Sequence, residues 1–381
     1  MLKKVSLFSL LLCLCACFPD KAREQVIGSQ QATFRLVQVV NGLHHPWSLA
    51  FLPNGDFLVT ERRGRLIRIS ADSAKKTEIG GVPTVYAQGQ GGLLDVVLEP
   101  DFKDGGWVYL SYSGSAQDDI DVVSTEVLRA RLDLRNNRLR HSEVMFVASP
   151  KTQGGRHFGG RILVTSKREL YLTVGERGDY MEQAQNPHNH LGSVIRLDVE
   201  EGIADDNPFV VHETNMSEIF TYGHRNPQGI ALHPKSGEVW VHEHGPQGGD
   251  EINILVSGGN YGWPKATFGI DYTGEIISGK TSIEGMEDPV LHWTPSIAPS
   301  GMAFYTGDKF PEWEGDLFVG ALVLRHLRRL ELDGSQIIAQ EKMLESNKER
   351  IRDVRVSPDG YLYILTDDTN GRLLRLEPVQ Q

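Results

Sequence analysis

Short apolar runs punctuated by Pro, Asp, Asn and Gly dominate this chain, and the three-to-four spacing of an amphipathic helix is rarely met. One phrase recurs: an apolar strand, a tight turn, a second strand rich in β-branched and aromatic residues, then a third. Its first copy runs from Trp47 to Leu52, turns at Pro53-Asn54-Gly55-Asp56, continues from Phe57 to Thr60 and, after Arg63-Gly64, resumes from Leu66 to Ile69. The last copy is nearly a paraphrase, with Ile351 to Val356, the turn Ser357-Pro358-Asp359-Gly360, Tyr361 to Thr366 and, after Asn370-Gly371, Leu373 to Leu376. Between them lie Gly92 to Leu98 with Val108 to Tyr112, Gly159 to Val164 with Leu170 to Val174, Gly229 to Leu232 with Val239 to His242, and Gly301 to Tyr305 with Leu317 to Val319. Asn-Gly and Asp-Gly pairs supply the positive φ that tight β-turns need, so each phrase reads as a hairpin.

The six onsets are about 45 to 72 residues apart, wider in the middle of the chain than at its ends. A bare propeller blade takes about 40 to 50 residues, so the middle copies carry insertions. One hairpin cannot bury both faces, whereas radial stacking of four-stranded sheets does so and leaves only short edges. The pattern predicts an all-β fold, a six-bladed β-propeller in a single domain over residues 34–378. A pair of β-sandwiches is the alternative architecture.

Composition agrees with that reading: 40 Gly and 18 Pro among 381 residues suit a turn-rich β protein rather than a coiled coil. The 39 basic residues are outnumbered by 50 acidic ones, for a net charge of −11, so no global positive field is available to hold nucleic acid. The only cysteines are Cys13, Cys15 and Cys17, so the remainder of the chain has neither a disulfide nor a thiolate metal site. Lys3 and Lys4 precede an apolar run from Val5 to Leu14, the pattern of a bacterial export signal too short to span a bilayer. It ends Leu14-Cys15-Ala16-Cys17, which resembles a lipoprotein signal covering residues 1–16, with Cys17 as the acylated residue. Cys15 fits less well because Leu14 is a poor residue to precede a cut. An ordinary secretory signal is the plainer alternative. No Asp follows Cys17 directly, which fits an exported, periplasmic protein tethered to the outer membrane through residues 17–33, with the lipid as its only membrane contact.

In propellers the connections at one end of the channel make the site. Arg225, Arg350 and Arg352 fall at blade starts, and an Arg-x-Arg pair on a strand puts both guanidiniums on one side of the sheet, an arrangement suited to a small polyanion. His157, also at a blade start, is placed to take a proton near neutral pH. The segment from Glu243 to Glu251 holds Gly245-Pro246, whose carbonyls suit a hard cation such as Ca²⁺. The pairs His188/His190 and His242/His244 raise a competing zinc or copper site, although no third ligand follows at recognisable spacing. Each of these features also has a plainer reading, as salt bridges, packed histidines and turns. The tandem His44-His45 reads as solvent-exposed or packing.

Gly91-Gly92-Leu93-Leu94, Gly223-His224-Arg225-Asn226-Pro227-Gln228-Gly229, Glu243-His244-Gly245-Pro246, Asp250-Glu251-Ile252-Asn253, Gly258-Gly259-Asn260-Tyr261-Gly262-Trp263-Pro264, Ala298-Pro299-Ser300-Gly301 and Arg350-Ile351-Arg352-Asp353 occur in order from about residue 40 to 376. Together they resemble the soluble aldose sugar dehydrogenases dependent on pyrroloquinoline quinone (PQQ), a group similar to the soluble quinoprotein glucose dehydrogenases. The resemblance implies a six-bladed propeller with a calcium-bound PQQ over its channel. It implies that His157 takes the proton of the sugar C1 hydroxyl while hydride passes to C5 of the quinone, giving the aldonolactone. Ca²⁺ on the main-chain oxygens of Gly245 and Pro246 would polarise the quinone carbonyl, and Arg225 would stabilise developing negative charge. Gln90 and Asn226 would hold the cofactor, Arg350 and Arg352 its carboxylates, and Glu251 with Tyr261 a second Ca²⁺. No Cys-x-x-Cys-His haem motif exists in the chain, so the electrons would leave to an external acceptor, a quinone or a cytochrome.

One position departs from the pattern. Relatives of the glucose dehydrogenase type place a lysine against the cofactor where this chain has Val323, with Arg325 as the nearest candidate to compensate. Two other classes of function fit the same architecture: a non-catalytic envelope propeller that binds carbohydrate or protein, and a calcium-dependent lactonase. A binder has no need of His157, Arg225 and the Arg350/Arg352 pair, and a lactonase would need acidic calcium ligands at the channel mouth.

Overall fold

The computed structural model describes residues 26–379; the expected signal, Cys17 and most of the tether lie outside them. Six antiparallel sheets are arranged in a ring, in the order anticipated from the repeat. Blade 1 comprises Pro46–Phe51, Phe57–Glu61, Arg65–Ile69 and Lys76–Ile79, and blade 2 comprises Leu93–Leu98, Trp107–Ser115, Val123–Asp133 and Arg138–Val147. Blade 3 starts with Ile162–Val164, Glu169–Val174 and Ser193–Asp198, blade 4 with Pro227–Leu232, Val239–Glu243 and Asp250–Ile254, and blade 5 with Pro299–Phe304, Leu317–Ala321 and Leu327–Asp333. Blade 6 takes Ile351–Val356, Leu362–Thr366 and Gly371–Pro378 from the C-terminal end and Thr33–Leu43 from the N-terminal end.

That last pairing closes the ring: Phe34 lies opposite Pro378 and Leu43 opposite Gly371. Val26–Gly28, inside the stretch expected to be tether, adds a short outer strand to blade 6 through Val26 opposite Arg35. The ordered structure therefore begins before residue 34. The first strand of every blade touches the first strand of the next, all the way round.

Strand alternation explains why nearly every residue of these strands is buried. In Phe57–Glu61, Phe57 and Val59 face blade 6 whereas Leu58 faces blade 2. In Val239–Glu243, Trp240 faces blade 5 while Val239 and Val241 face blade 3. Successive side chains point to opposite faces, so a strand covered by a blade on each side must be apolar at both parities. The core among the described residues is accordingly six apolar wedges, one at each seam between blades, with a smaller seventh cluster of Trp47, Leu94, Val123 and Phe158. In the wedge between blades 5 and 6, Trp313 is fully buried and stacks on Phe310 with ring centroids 4.1 Å apart. Side chains of this kind each contribute about 1.5–3 kcal/mol through burial alone.

Blade 3 begins later than its repeat suggested. The repeat predicts a start at Gly159, yet the strand starts at Ile162, because Gly159 and Gly160 take φ of +65° and +94° and bend the chain there.

Candidate active site

Every blade sends one connection to the same end of the channel. A cavity of about 250 Å³ opens there, walled by Trp47 and Arg62 of blade 1, Gln90 and Leu94 around the start of blade 2, Phe158, Asn226, Ala298, and Arg350 with Arg352. Beside it lies a much smaller cavity of about 10 Å³, bounded by Arg225, Glu243, Gly245, Glu251, Tyr261 and Trp263. His244 forms part of both walls.

His157 directly precedes Phe158 and Gly159 of the larger cavity's wall and has φ of +49°, a left-handed conformation uncommon for a residue with a Cβ. Its backbone N–H donates to Gln90 Oε1 at 2.8 Å. Its Nδ1 lies 3.0 Å from Glu176 Oε2, and both side chains are buried. A carboxylate only accepts, so Nδ1 carries the proton and Nε2, which has no partner among the described residues, keeps its lone pair. Burial lowers the His157 pKa below its ordinary value; Glu176 opposes that shift, and the Arg225 and Arg156 guanidiniums reinforce it. The outcome is a neutral imidazole with an open acceptor nitrogen.

Arg350 and Arg352 share one carboxylate. Arg350 donates to Asp367 Oδ2 through Nη2 at 3.0 Å and to Leu322 O at 3.1 Å, while Arg352 Nη2 reaches Asp367 Oδ2 at 3.1 Å. Burial alone would raise Asp367, but Arg352, His45 and Arg350 together hold it well below the usual carboxylate range. Arg352 Nε is buried without a partner. Asn226 Oδ1 accepts from the Gly159 N–H at 3.1 Å, which leaves its Nδ2 free to donate.

Arg225 stands apart from that pair. Its Nη1 donates to Gly245 O at 2.8 Å and His244 O at 3.1 Å, and its guanidinium lies 5.3 Å from the Trp263 ring centroid. The three guanidiniums anticipated for one polyanion thus divide between two adjoining cavities. The third cation in the wall of the larger one is Arg62, which the sequence reading did not select.

Around the smaller cavity, Asp250 fixes the backbone by accepting from the Gly245 N–H at 2.9 Å and the Ile297 N–H at 2.7 Å. Gly245 has to be glycine, since a Cβ would lie 2.2 Å from Gly248 O. Burial pushes the Glu251 carboxyl well above its ordinary range, and neighbouring Glu243 adds to the shift. Tyr261 lines the same space, but its hydroxyl donates to Ile254 O at 2.6 Å and its ring stacks on His224 at 4.5 Å. Pro246 follows Gly245 and packs toward Gly269 outside either cavity wall.

The competing histidine pairs make no metal centre: among the described residues no group of three His, Cys, Asp or Glu side chains is placed to hold an ion. His190 Nδ1 accepts from the Ser149 N–H, and His244 Nε2 faces Pro299 O at 2.5 Å. His45 is neither free nor mere packing, because its Nδ1 lies 3.0 Å from Asp367 Oδ1.

Glu176, Asp367 and Arg62 were missed, although a signal for the acids existed. An acidic residue stands at or just beyond the end of the second strand in blades 1, 3, 4 and 6, as Glu61, Glu176, Glu243 and Asp367. Each accepts from a residue leading into a first strand: the His44 N–H on Glu61, His157 on Glu176, His224 on Glu243, and His45 with both arginines on Asp367.

Residues 43–375 match the family described as Glucose / Sorbosone dehydrogenase. The chain is 43% identical over 350 residues to aldose sugar dehydrogenase YliI of Escherichia coli strain K12, covering 91% of this chain and 94% of that protein. It is 29% identical over 409 residues to quinoprotein glucose dehydrogenase B of Acinetobacter calcoaceticus, covering 86% of this chain and 84% of that one. Among solved structures, the apo form of the soluble E. coli aldose sugar dehydrogenase superposes with a TM-score of 0.87 at 42% identity, over 91% of this chain and 100% of the other. The PQQ-bound aldose sugar dehydrogenase of Streptomyces coelicolor gives 0.75 at 30% identity, over 92% and 99%.

Proposed function

This chain belongs to the glucose/sorbosone dehydrogenase family, and from that premise we propose that it oxidises aldose sugars at C1 to aldonolactones, with PQQ and Ca²⁺ as cofactors and an external quinone or cytochrome as electron acceptor. The observation that carries this reading is the Glu176–His157 pair, with Nε2 open, beside Gln90 and Phe158 in the wall of a cavity whose cations outnumber its carboxylates.

The residues present fit both groups. In the larger cavity Asp367 is shared by Arg350 and Arg352, Arg62 lines the same wall, and Arg352 Nε is an orphaned buried donor, so a carboxylated ligand meets unmatched charge. In the smaller one Gly245 O is already aimed at a cation, the Arg225 guanidinium, and two buried carboxylates adjoin a void the size of one ion. When bound, PQQ accepts the two electrons of the oxidation and Ca²⁺ acts as a Lewis acid on it.

The chain's own residues do the rest. His157 Nε2 takes the proton of the C1 hydroxyl, and the lowered pKa means that it is unprotonated and ready at neutral pH. Glu176 keeps the required tautomer and stabilises the imidazolium once it forms. Arg225 sets positive charge beside the reacting oxygen, where it favours the alkoxide-like transition state. Gln90 and Asn226 offer amide N–H groups, and Arg350 and Arg352 offer guanidinium donors to the cofactor carboxylates. Gly245 O would hold a Ca²⁺ in the smaller cavity, whose wall also includes Glu251 and Tyr261 and whose void takes a single ion, with Pro246 O, outside that wall, as the other main-chain candidate.

Purified apoprotein given PQQ and Ca²⁺ should reduce a dye in the presence of aldose only when both additions are made. His157→Ala should lower that rate by orders of magnitude, and full turnover in the variant removes His157 from the mechanism. The same reading includes export and acylation at Cys17, so that Cys17→Ser should release the protein from the membrane fraction without changing its turnover. Retention of the variant in that fraction sinks the lipid-anchor reading.

A further inference from the structure

We infer that Arg62 binds the cofactor, its guanidinium taking one carboxylate of the tricarboxylic quinone in the larger cavity. This rests on the function proposed above and assigns a residue that neither the repeat nor the family motifs single out.

Arg62 is seated with unusual firmness for a turn residue. It follows Phe57–Glu61 at the mouth end of blade 1, where its backbone N–H donates to His45 O at 3.1 Å and its carbonyl accepts from the Leu93 N–H at 3.0 Å. The second bond crosses to blade 2. It is possible only because residue 92 is glycine with φ of +145°: a Cβ there would lie 1.9 Å from Arg62 O. The seam between blades 1 and 2 therefore fixes where this side chain begins.

Among the described residues its charge has no carboxylate partner. The single hydrogen bond of the guanidinium runs from Nη1 to Gly89 O at 3.0 Å, so Nε and Nη2 remain uncommitted. The adjacent carboxylate of Glu61 is occupied by Arg65 Nε at 2.7 Å and the His44 N–H at 2.8 Å. Arg62 instead faces the cavity, close enough to Arg352 to depress that residue's proton affinity. Three guanidiniums around one carboxylate make an arrangement that an anion improves and that nothing in the apoprotein matches.

Other candidates for a third cation fail on position. Val323 is in the cavity wall and carries no charge. Arg325, two residues on, directs Nη1 toward Lys348 O at 3.4 Å and lies outside the wall.

The test is a direct titration of PQQ into purified apoprotein with Ca²⁺, read by quenching of tryptophan fluorescence, since Trp47 lines the cavity. Arg62→Gln should weaken PQQ binding roughly 10- to 100-fold and flatten its salt dependence, while Arg62→Lys should lose only a few-fold. Val323→Lys places a cation elsewhere in the cavity wall, so it should recover most of the loss in the Arg62→Gln background and add little to the wild type. Equal PQQ affinity in wild type and Arg62→Gln overturns the inference while the proposed function stands. No PQQ binding by the wild type overturns the proposed function and the inference with it. A loss that neither lysine rescues, accompanied by a lower melting temperature of the apoprotein, makes Arg62 a packing residue and overturns the inference as well.

Discussion

The buried floor of the channel, where the first strands of the blades meet, and the channel mouth are built from the same residue types and do opposite things with them. On the floor, Arg161 donates to Asp353 at 2.8 Å and Gln228 O at 2.9 Å, with Trp47 stacked 4.0 Å away. Arg355 joins Asp353 at 2.9 Å to Asp95 at 2.8 Å, and Asp95 in turn accepts from the Ile162 N–H at 2.9 Å. Two guanidiniums meet two carboxylates, and the network ties together blades 1, 2, 3, 4 and 6. At the mouth, Arg350 and Arg352 share one carboxylate, Asp367, and Arg62 lines the same wall without a carboxylate of its own. A guanidinium whose donors are matched inside the protein is architecture; one whose donors point into a cavity is a receptor.

That contrast separates two kinds of damage. His157→Ala at the mouth should cut sugar oxidation by roughly 10²- to 10⁴-fold, the usual contribution of a general base, with the unfolding midpoint almost unchanged. Asp353→Ala on the floor should do the reverse. It strands Arg161, whose other carboxylate, Asp95, is 3.8 Å away, and leaves Arg355 with Asp95 alone, and breaking a buried pair in this way costs about 3–5 kcal/mol, measurable as a lower urea midpoint. Similar stability losses in both variants break the distinction.

A finer cut comes from Glu176→Gln, which keeps shape but removes the charge behind His157. Glu176 is the contribution that raises the His157 pKa against desolvation. Without it the folded-state pKa falls further, so the base form persists to lower pH and the acid limb of the rate profile moves in that direction. The imidazolium formed during turnover also loses its counter-charge, and the plateau rate should drop roughly 10- to 100-fold. An acid limb that moves upward, or does not move, contradicts the role given to Glu176.

How much of this was legible in the sequence follows from the same contrast. The blades were readable because their signals are local: runs such as Val239 to His242 bounded by turn residues need no knowledge of the rest of the fold. Ring closure by Thr33–Leu43 was not, because its partner Gly371–Pro378 lies at the other end of the chain. The motifs placed His157, Arg225, Arg350 and Arg352 at one mouth, yet they could not show that Arg225 turns toward Gly245 while the other two turn toward Asp367. Glu176 and Asp367 escaped notice because a carboxylate after a strand resembles any turn acid until the histidine it faces is known. Arg62 escaped because its role depends on a glycine in the next blade.

His45 lies on the border between the two regimes and provides the gentlest test. Its Nδ1 meets Asp367 Oδ1, whereas both arginines use Oδ2, so removing the imidazole leaves the cationic pair in place. Glycine is the suitable replacement, because the backbone there has φ of +44° and a Cβ would keep the strain without the bond. His45→Gly should therefore weaken PQQ binding only about two- to fivefold, in the range of a partly exposed polar pair, and shift the unfolding midpoint little. Depressed as Asp367 is, its carboxylate stays ionised throughout the neutral range, so the small effect should be independent of pH on the acceptor side. A loss as large as that of Asp353→Ala would mean that the mouth is braced like the floor, with cation, carboxylate and imidazole acting as a single structural unit rather than as a site held open for an anion.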